Sequence, residues 1–430
     1  MPQADPDTGA AVADAPEAGQ PATAERPGMW LELDAAQEAA RQEFRRFTRE
    51  RVAPEAGRWD REGKVDPEAI DELRRRGWLG ALLPEEVGGG DWDPVTYGLL
   101  TEEIGRGCSS LRSLLTVHEM GALALARWAS RELKAEVLPS LAGGERLIAL
   151  ALSEPEVGSD AASVATSARR DGGEDGDWVL DGTKRWITFG QIADLFLVFA
   201  RVEGEAAESA GKKKLFGGGG GEGKGATIAA FLVPADAPGF SRAPIGHIVG
   251  SRASQLAELT FDGCRVPAGH LVGRVGFGFS HVAATALDQG RYSVAWGSVG
   301  LAQACLDACL EHTAERQQFG ATLNHHHLVR RKLTEMIVGV RAARLLCYRA
   351  GHLRRQGDPS AASETLIAKY QASRTATACA NDAVQLHGAW GLSEDRPLER
   401  YLRDAKVTEI IEGSSQILQT LIPRYPLPEL

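Results

Sequence analysis

The chain has 430 residues, enough to bury a large core divided into two or three sub-domains. Hydrophobic residues make up 43% and charged residues 25%, the mix of an ordinary water-soluble globular protein. The formal net charge of −10 excludes nucleic acid as a partner, since a phosphate-binding surface must be basic.

Residues 1–28 are rich in Ala, Pro, Asp, Glu and Gly and hold almost no large apolar side chains, so they are expected to form a disordered tail. The tail has neither the basic start nor the apolar core of a secretory signal. Order begins near Trp30. Asp34 followed three residues later by Gln37 reads as a capping box, and Phe44, Phe47 and Val52 recur at near-helical spacing until Pro54. Helices are predicted over residues 67–76, 94–106, 111–128 and 131–141, making residues 29–146 an all-helical N-terminal domain.

From Leu147 the pattern changes to short β-type runs between turn signals such as Asp181-Gly182 and Pro238-Gly239. Residues 147–266 are therefore expected to form a middle β domain, barrel or sandwich, with a flexible glycine-rich insertion at 203–225. Within the insertion, Gly218 to Lys224 has phosphate-loop spacing. Gly225 stands where a Ser or Thr would hold magnesium, and a strand follows instead of a helix, so the match is rejected.

Helical periodicity returns after Pro267, and residues 267–430 are expected to form a C-terminal helical bundle. The fold class is thus α+β multidomain. No apolar run approaches the roughly 18–20 residues of a membrane span, so no membrane partner is expected. The six cysteines include no C-x-x-C pair, and Cys305 and Cys309 sit one turn apart in an apolar helix, as buried thiols do. A reducing, cytoplasmic location is expected. Arg341, Arg344, Arg349, Arg354 and Arg355 scatter around one helix and read as a solvated surface.

The residues with chemical potential lie in clusters. Glu412 directly precedes Gly413-Ser414-Ser415, where Ser414 or Ser415 can cap the next helix. Ile410 and Ile411 before it suggest an apolar surrounding that raises the carboxyl pKa toward neutrality, as a general base requires. The plainer alternative is a carboxylate that merely decorates a helix start. Leu152-Ser153-Glu154-Pro155-Glu156-Val157-Gly158-Ser159-Asp160 offers hydroxyls and open backbone, and Trp186-Ile187-Thr188 offers an aromatic plane beside a hydroxyl. His325-His326-His327 cannot all face one ion and lacks further ligands at metal spacing, so no metal is expected.

These pieces, with LDQGR (287–291), ERQQFG (315–320) and QLHGAWG (385–391), resemble the acyl-CoA dehydrogenase family over residues 30–425, in the family's helical, β, helical order. The resemblance implies FAD as cofactor. It places Leu152, Ser153, Trp186 and Thr188 at the isoalloxazine ring, counts Ser159 among the cofactor-binding residues, and puts Arg316, Phe319, Gln385 and Gly388 at the pyrophosphate and adenosine half, partly across a subunit interface. Ser414 and Gln416 are implied as flavin contacts, and Ser159, Asp288, Arg291 and Gly413 as substrate contacts. Glu412 becomes the base that removes the α proton of an acyl thioester. Departures from the family pattern are Ser414 for the commoner Thr, Phe189 after WIT, His326-His327 at the adenine end, and Ala389 for a second glycine.

The implied partners are an acyl-CoA substrate, an electron-transferring flavoprotein or other electron acceptor, and further copies of the chain in a homodimer or homotetramer. Residues 109–118 also look similar to the corresponding helix of members that oxidise acyl groups on acyl carrier proteins, including those making hydroxymalonyl-type extender units. A non-catalytic, thioester-binding flavoprotein is the alternative of a different class.

Overall fold

The computed structural model describes residues 32–173, 176–203 and 227–425. The expected tail at 1–28 and nearly all of the expected insertion at 203–225 lie outside these residues. Helix α1 (Ala35–Phe47) opens with the expected capping box: Gln37 N donates to Asp34 Oδ1 at 2.8 Å, and Asp34 N donates to Gln37 Oε1 at 3.1 Å. One wider π turn carries the chain to Val52. Then follow α2 (Ala56–Glu62), α3 (Pro67–Arg75), α4 (Pro94–Gly107), α5 (Ser109–Trp128) and α6 (Arg131–Ala142). Nearly every residue of α5 from Ser109 to Leu125 is buried, including the polar Arg112, Thr116, His118 and Glu119. A helix buried on all sides lies at the centre of a structure rather than on its surface.

Among the described residues, the middle of the chain forms one eight-stranded sheet: β1 (Ile148–Ala151), β2 (Ser167–Asp171), β3 (Asp177–Ile187), β4 (Leu195–Val202), β5 (Ile228–Pro234), β6 (Phe240–Pro244), β7 (Ala257–Val266) and β8 (Leu271–Val272). The order is β6-β7-β3-β2-β4-β5-β8, with β1 running parallel to β4 from Ile148 opposite Leu195. Asp181-Gly182, expected as a turn, instead lies inside the single strand β3. The register shifts between Leu180 and Gly182, and a Cβ at Gly182 would come within 2.7 Å of Thr166 Oγ1. The glycine serves a bulge, a use that short-range sequence does not separate from a turn. The helical pattern expected from Pro267 starts only after β8, because Leu271 and Val272 still pair with β5.

The last part is helical: α7 (Ala284–Glu315), a small hairpin of β9 (Gln317–Gln318) and β10 (Ala321–Thr322), α8 (His327–Gln356), α9 (Ala361–His387), α10 (Leu398–Ile410) and α11 (Ser415–Leu421). Helix α7 packs against α4, α5 and α9 and is the axle of the bundle. The helical segment Gly278–Glu315 is, by length and composition, long and apolar enough to cross a membrane, contrary to the expectation that no segment would be. Its glycines and serines interrupt the apolar run in sequence while adding no charge. Its apolar window is 72% buried within the bundle, as a core helix should be.

The α8 arginines also depart from expectation. Arg344 pairs with the buried Glu102 at 2.7 Å, Arg349 with Glu364 at 3.0 Å and Arg354 with Asp288 at 2.5 Å, whereas Arg341 and Arg355 are exposed. Helical spacing alone could not show that α4, α7 and α9 present carboxylates to this helix. All six cysteines are buried free thiols.

Candidate active site

Glu412 stands at a corner between α10 and α11. Its φ is 55° and that of Gly413 is 94°, two successive left-handed residues that reverse the chain before Ser414 caps α11. The Ser414 hydroxyl accepts from Ile417 N at 3.3 Å. A left-handed glutamate is conformationally costly and must be held by its surroundings. Two cations hold this one by its carbonyls: Arg291 Nε donates to Glu412 O at 3.0 Å, and Lys369 Nζ donates to Gly413 O at 2.7 Å.

The side chain points inward. Glu412 Oε2 is buried and has no hydrogen-bond partner. It lies over Gly290 of α7, where an added Cβ would sit 2.5 Å from Oε2 and 2.7 Å from Met120 Sδ. Burial pushes the carboxyl up to about 7, against the opposing charges of Arg291, Lys369 and Arg112. The residue as a whole is only partly buried, whereas its Oε2 is fully buried. The raised pKa therefore has a different origin from the one expected at Ile410. Ile410 is 60% exposed, whereas Gly290 of α7 and Met120 Sδ lie close to the carboxylate.

A second group assembles where β1 and β3 end side by side. Arg185 N donates to Ser153 O at 2.9 Å, which sets the loop after β1 beside Trp186. A buried ion pair anchors this loop: Lys184 Nζ lies 2.7 Å from Glu154 Oε1 and 3.1 Å from Leu152 O. The same carboxylate accepts from Ala165 N, Thr166 N and Thr166 Oγ1, so it also folds the segment leading to β2. Trp186 has φ 66° and is 49% exposed, a large apolar plane presented outward from a left-handed residue. Among the described residues, neither the Ser153 nor the Thr188 hydroxyl meets a protein partner. Phe189, also left-handed, is buried and donates its N–H to Ser254 O at 2.8 Å. Ser159 is exposed in the loop.

A third group surrounds the hairpin after α7. Phe319, at its tip, is 98% exposed. The His312 and His387 rings stack 4.1 Å apart, joining the end of α7 to the end of α9, so Arg316 and Phe319 share a region with Gln385 and Gly388. Among the described residues, no hydrogen bond or ion pair joins this group to Glu412. Gln416 is exposed, and the Asp288 carboxylate is engaged by Arg354 Nη2 at 2.5 Å.

Sequence reasoning missed Arg112, Met120, Lys184, Gly290 and Lys369. The available signals were a lysine amid the small residues of α9 and the glycine of LDQGR. Fit to a flavin can be judged from the side chains themselves. An outward tryptophan plane flanked by two unengaged hydroxyls suits a flat ring with a polar edge, and the exposed Phe319 and Trp390 (52% exposed) suit a second aromatic group.

Family models described as the acyl-CoA dehydrogenase N-terminal, middle and C-terminal domains match residues 34–145, 149–264 and 276–425. The chain belongs to the acyl-CoA dehydrogenase family. It is 36% identical over 382 residues to a probable acyl-CoA dehydrogenase of Mycobacterium leprae, covering 89% of this chain and 92% of that one. Butyryl-CoA dehydrogenase from Megasphaera elsdenii superposes with a TM-score of 0.83 at 32% identity, covering 91% of this chain and 98% of that one. FkbI, solved in connection with biosynthesis of a methoxymalonyl extender unit, superposes with a TM-score of 0.76 at 31% identity, covering 88% and 98%. Acyl-CoA dehydrogenases are FAD flavoproteins, and one solved member holds FADH2. The protein is accordingly an FAD-dependent oxidoreductase acting on a CH–CH bond.

Proposed function

We propose that the protein dehydrogenates an acyl-CoA thioester between its α and β carbons, with Glu412 as the base for the α proton. The observation that carries this reading is Glu412 Oε2, buried, without a partner, and on a group whose pKa lies at about 7. Such a carboxylate is half in its basic form at neutral pH and has a vacant lone pair to receive a proton.

The Glu412 backbone N–H meets no acceptor among the described residues, which leaves it available to a thioester oxygen as negative charge develops there. FAD, when bound, accepts the hydride from the β carbon. Leu152, Ser153, Trp186 and Thr188 would hold its isoalloxazine end, with Ser159, Ser414 and Gln416 nearby. Arg316, Phe319, Gln385 and Gly388 would hold the pyrophosphate and adenosine end of an FAD shared with another copy of the chain, in a dimer or tetramer. The 98% exposure of Phe319 supports a partner there. Arg291 and Gly413 would meet the substrate, and Asp288 would act through its ion pair with Arg354. The electrons pass to an electron-transferring flavoprotein.

Anaerobic mixing of the flavin-loaded protein with acyl-CoA should bleach the flavin absorbance. A Glu412→Gln variant should retain FAD and lose bleaching. Bleaching at the unaltered rate would exclude Glu412 as the base, and absence of bleaching with every thioester would leave a binding protein. A carrier-protein-bound substrate is the second reading, supported by the likeness to the prolyl acyl carrier protein oxidase AnaB, with a TM-score of 0.82 at 25% identity over 91% of this chain and 99% of that one. It requires faster reduction by acyl carrier protein thioesters than by the matching acyl-CoA.

A further inference from the structure

Two lysines among the described residues are 0% exposed, Lys184 and Lys369. Lys184 has a carboxylate to face, Glu154 at 2.7 Å. Lys369, on α9, forms no ion pair among the described residues. Its ammonium donates instead to the Gly413 carbonyl at 2.7 Å. Burying a cation against a single carbonyl is costly, because three N–H donors leave water for one acceptor. Burial accordingly presses the Lys369 ammonium down to about 8. Glu412 and Glu409 oppose that effect by attraction, and Arg291 adds to it by repulsion. Glu409 also faces Lys406 at 3.5 Å.

The cost falls where the chain is least restrained. Gly413 has φ 94° and no side chain, so the peptide after it turns freely unless its carbonyl is held. Arg291 Nε holds the preceding carbonyl, that of Glu412, at 3.0 Å. The two grips come from different helices, α7 and α9, and fall on consecutive carbonyls. Together they fix the left-handed turn that carries the Glu412 carboxylate over Gly290. With one grip released, a glutamate at φ 55° relaxes toward ordinary backbone, since only its surroundings keep it there. The ammonium acts on the carboxylate by charge as well. After Arg291, and ahead of Arg112, Lys369 is the cation that most favours the ionised form of Glu412.

We propose that Lys369 is a positioning residue for the reaction. It pins the Gly413 carbonyl so that the Glu412 carboxylate and backbone N–H keep their places, and its charge holds the carboxylate in its basic form. This rests on the reading of Glu412 as the base and adds a group that acts through it.

The test is Lys369→Met in the FAD-loaded protein, followed by anaerobic flavin reduction with the acyl-CoA that reduces the unaltered protein fastest. The maximal rate should fall about 100-fold, as for a reacting group displaced by about 1 Å, while the half-saturating thioester concentration stays close to the original. The rate should also rise at higher pH than in the unaltered protein, because losing a nearby cation raises the pKa of a carboxyl. Lys369→Gln keeps a hydrogen-bond donor and drops the charge. It should recover part of the maximal rate with the pH profile still displaced. Thermal unfolding separates this from a structural role. Folding disfavours the charged form of Lys369, a penalty present in full below about 8, so Lys369→Met should melt at or above the original temperature at neutral pH. An unchanged rate, a slower rate with the pH profile in its original place, or a variant that melts lower and releases FAD overturns the proposal and leaves Glu412 as the base. Flavin reduction by the Glu412→Gln protein at the unaltered rate overturns the reading beneath it.

Discussion

Gly290→Ala isolates the geometry of the base from its chemistry. The new methyl would sit 2.5 Å from Glu412 Oε2 and 2.6 Å from Cδ, with Met120 Sδ at 2.7 Å closing the other side. Non-bonded heavy atoms rest at about 3.5–4.0 Å, so the carboxylate must move by about 1 Å. Gly290 lies within α7, where alanine is favoured over glycine by about 1 kcal/mol, against an overpacking cost of about 1–3 kcal/mol. Net stability should therefore change by no more than about 2 kcal/mol, a shift of a few degrees in Tm. Catalysis should suffer far more, because a displacement of about 1 Å at a reacting group costs about 100-fold. Stopped-flow reduction of the bound flavin by saturating acyl thioester measures the rate, and thermal unfolding checks the fold. A folded Gly290→Ala protein that reduces its flavin at the original rate would refute the placement of the Glu412 carboxylate over residue 290.

Other outcomes follow from the same contacts. The rate of flavin reduction should rise with pH through about 7, because Glu412 must lose its proton to act and burial holds its pKa there. The linked effect on stability runs the other way. Between the ordinary carboxyl pKa of 4.5 and about 7 the folded state binds more protons than the unfolded one, so this group's contribution falls as pH rises. Glu412→Gln should thus be more stable than the original protein at pH 8, by up to about 3 kcal/mol, and equal to it near pH 4. Lys184→Met should lose about 3–5 kcal/mol in denaturant unfolding, since it strands the buried Glu154 carboxylate. The same variant should release FAD more readily, because the loop bearing Ser153 loses its anchor. Phe319→Ser should leave the melting of the separate chain unchanged while weakening self-association in sedimentation, as expected of a fully exposed hairpin-tip aromatic.

Local chemistry made much of the fold legible in advance. The Asp34–Gln37 box, the buried Cys305 and Cys309, the helices over 94–106 and 111–128, and the change from helical to β pattern at Leu147 each depend on neighbours within a few residues. Periodicity and caps report such short-range terms directly. The family motifs likewise pointed to Glu412, Ser153 and Thr188, which lie in turns or loops, and to Trp186, a left-handed residue near the end of β3. The Asp181-Gly182 bulge was misread for the same reason: a glycine with free conformation serves a turn and a bulge equally well, and the choice lies with the partner strand β7.

Tertiary structure decided everything that depends on which surfaces meet. That Arg344, Arg349 and Arg354 are paired rather than solvated depends on Glu102, Glu364 and Asp288, which come from three other helices. Burial raises the pKa of Glu412, whose carboxylate lies close to Met120 and Gly290, nearly 300 and 122 residues away, while the preceding Ile410 is exposed. Arg112 is unremarkable in sequence, one arginine in a polar-apolar run. Only the packing of α5 on α7 shows it to be buried with an open nitrogen. Desolvation is the physical reason: it acts through the whole shell of atoms around a charged group, and that shell does not exist until distant segments have packed.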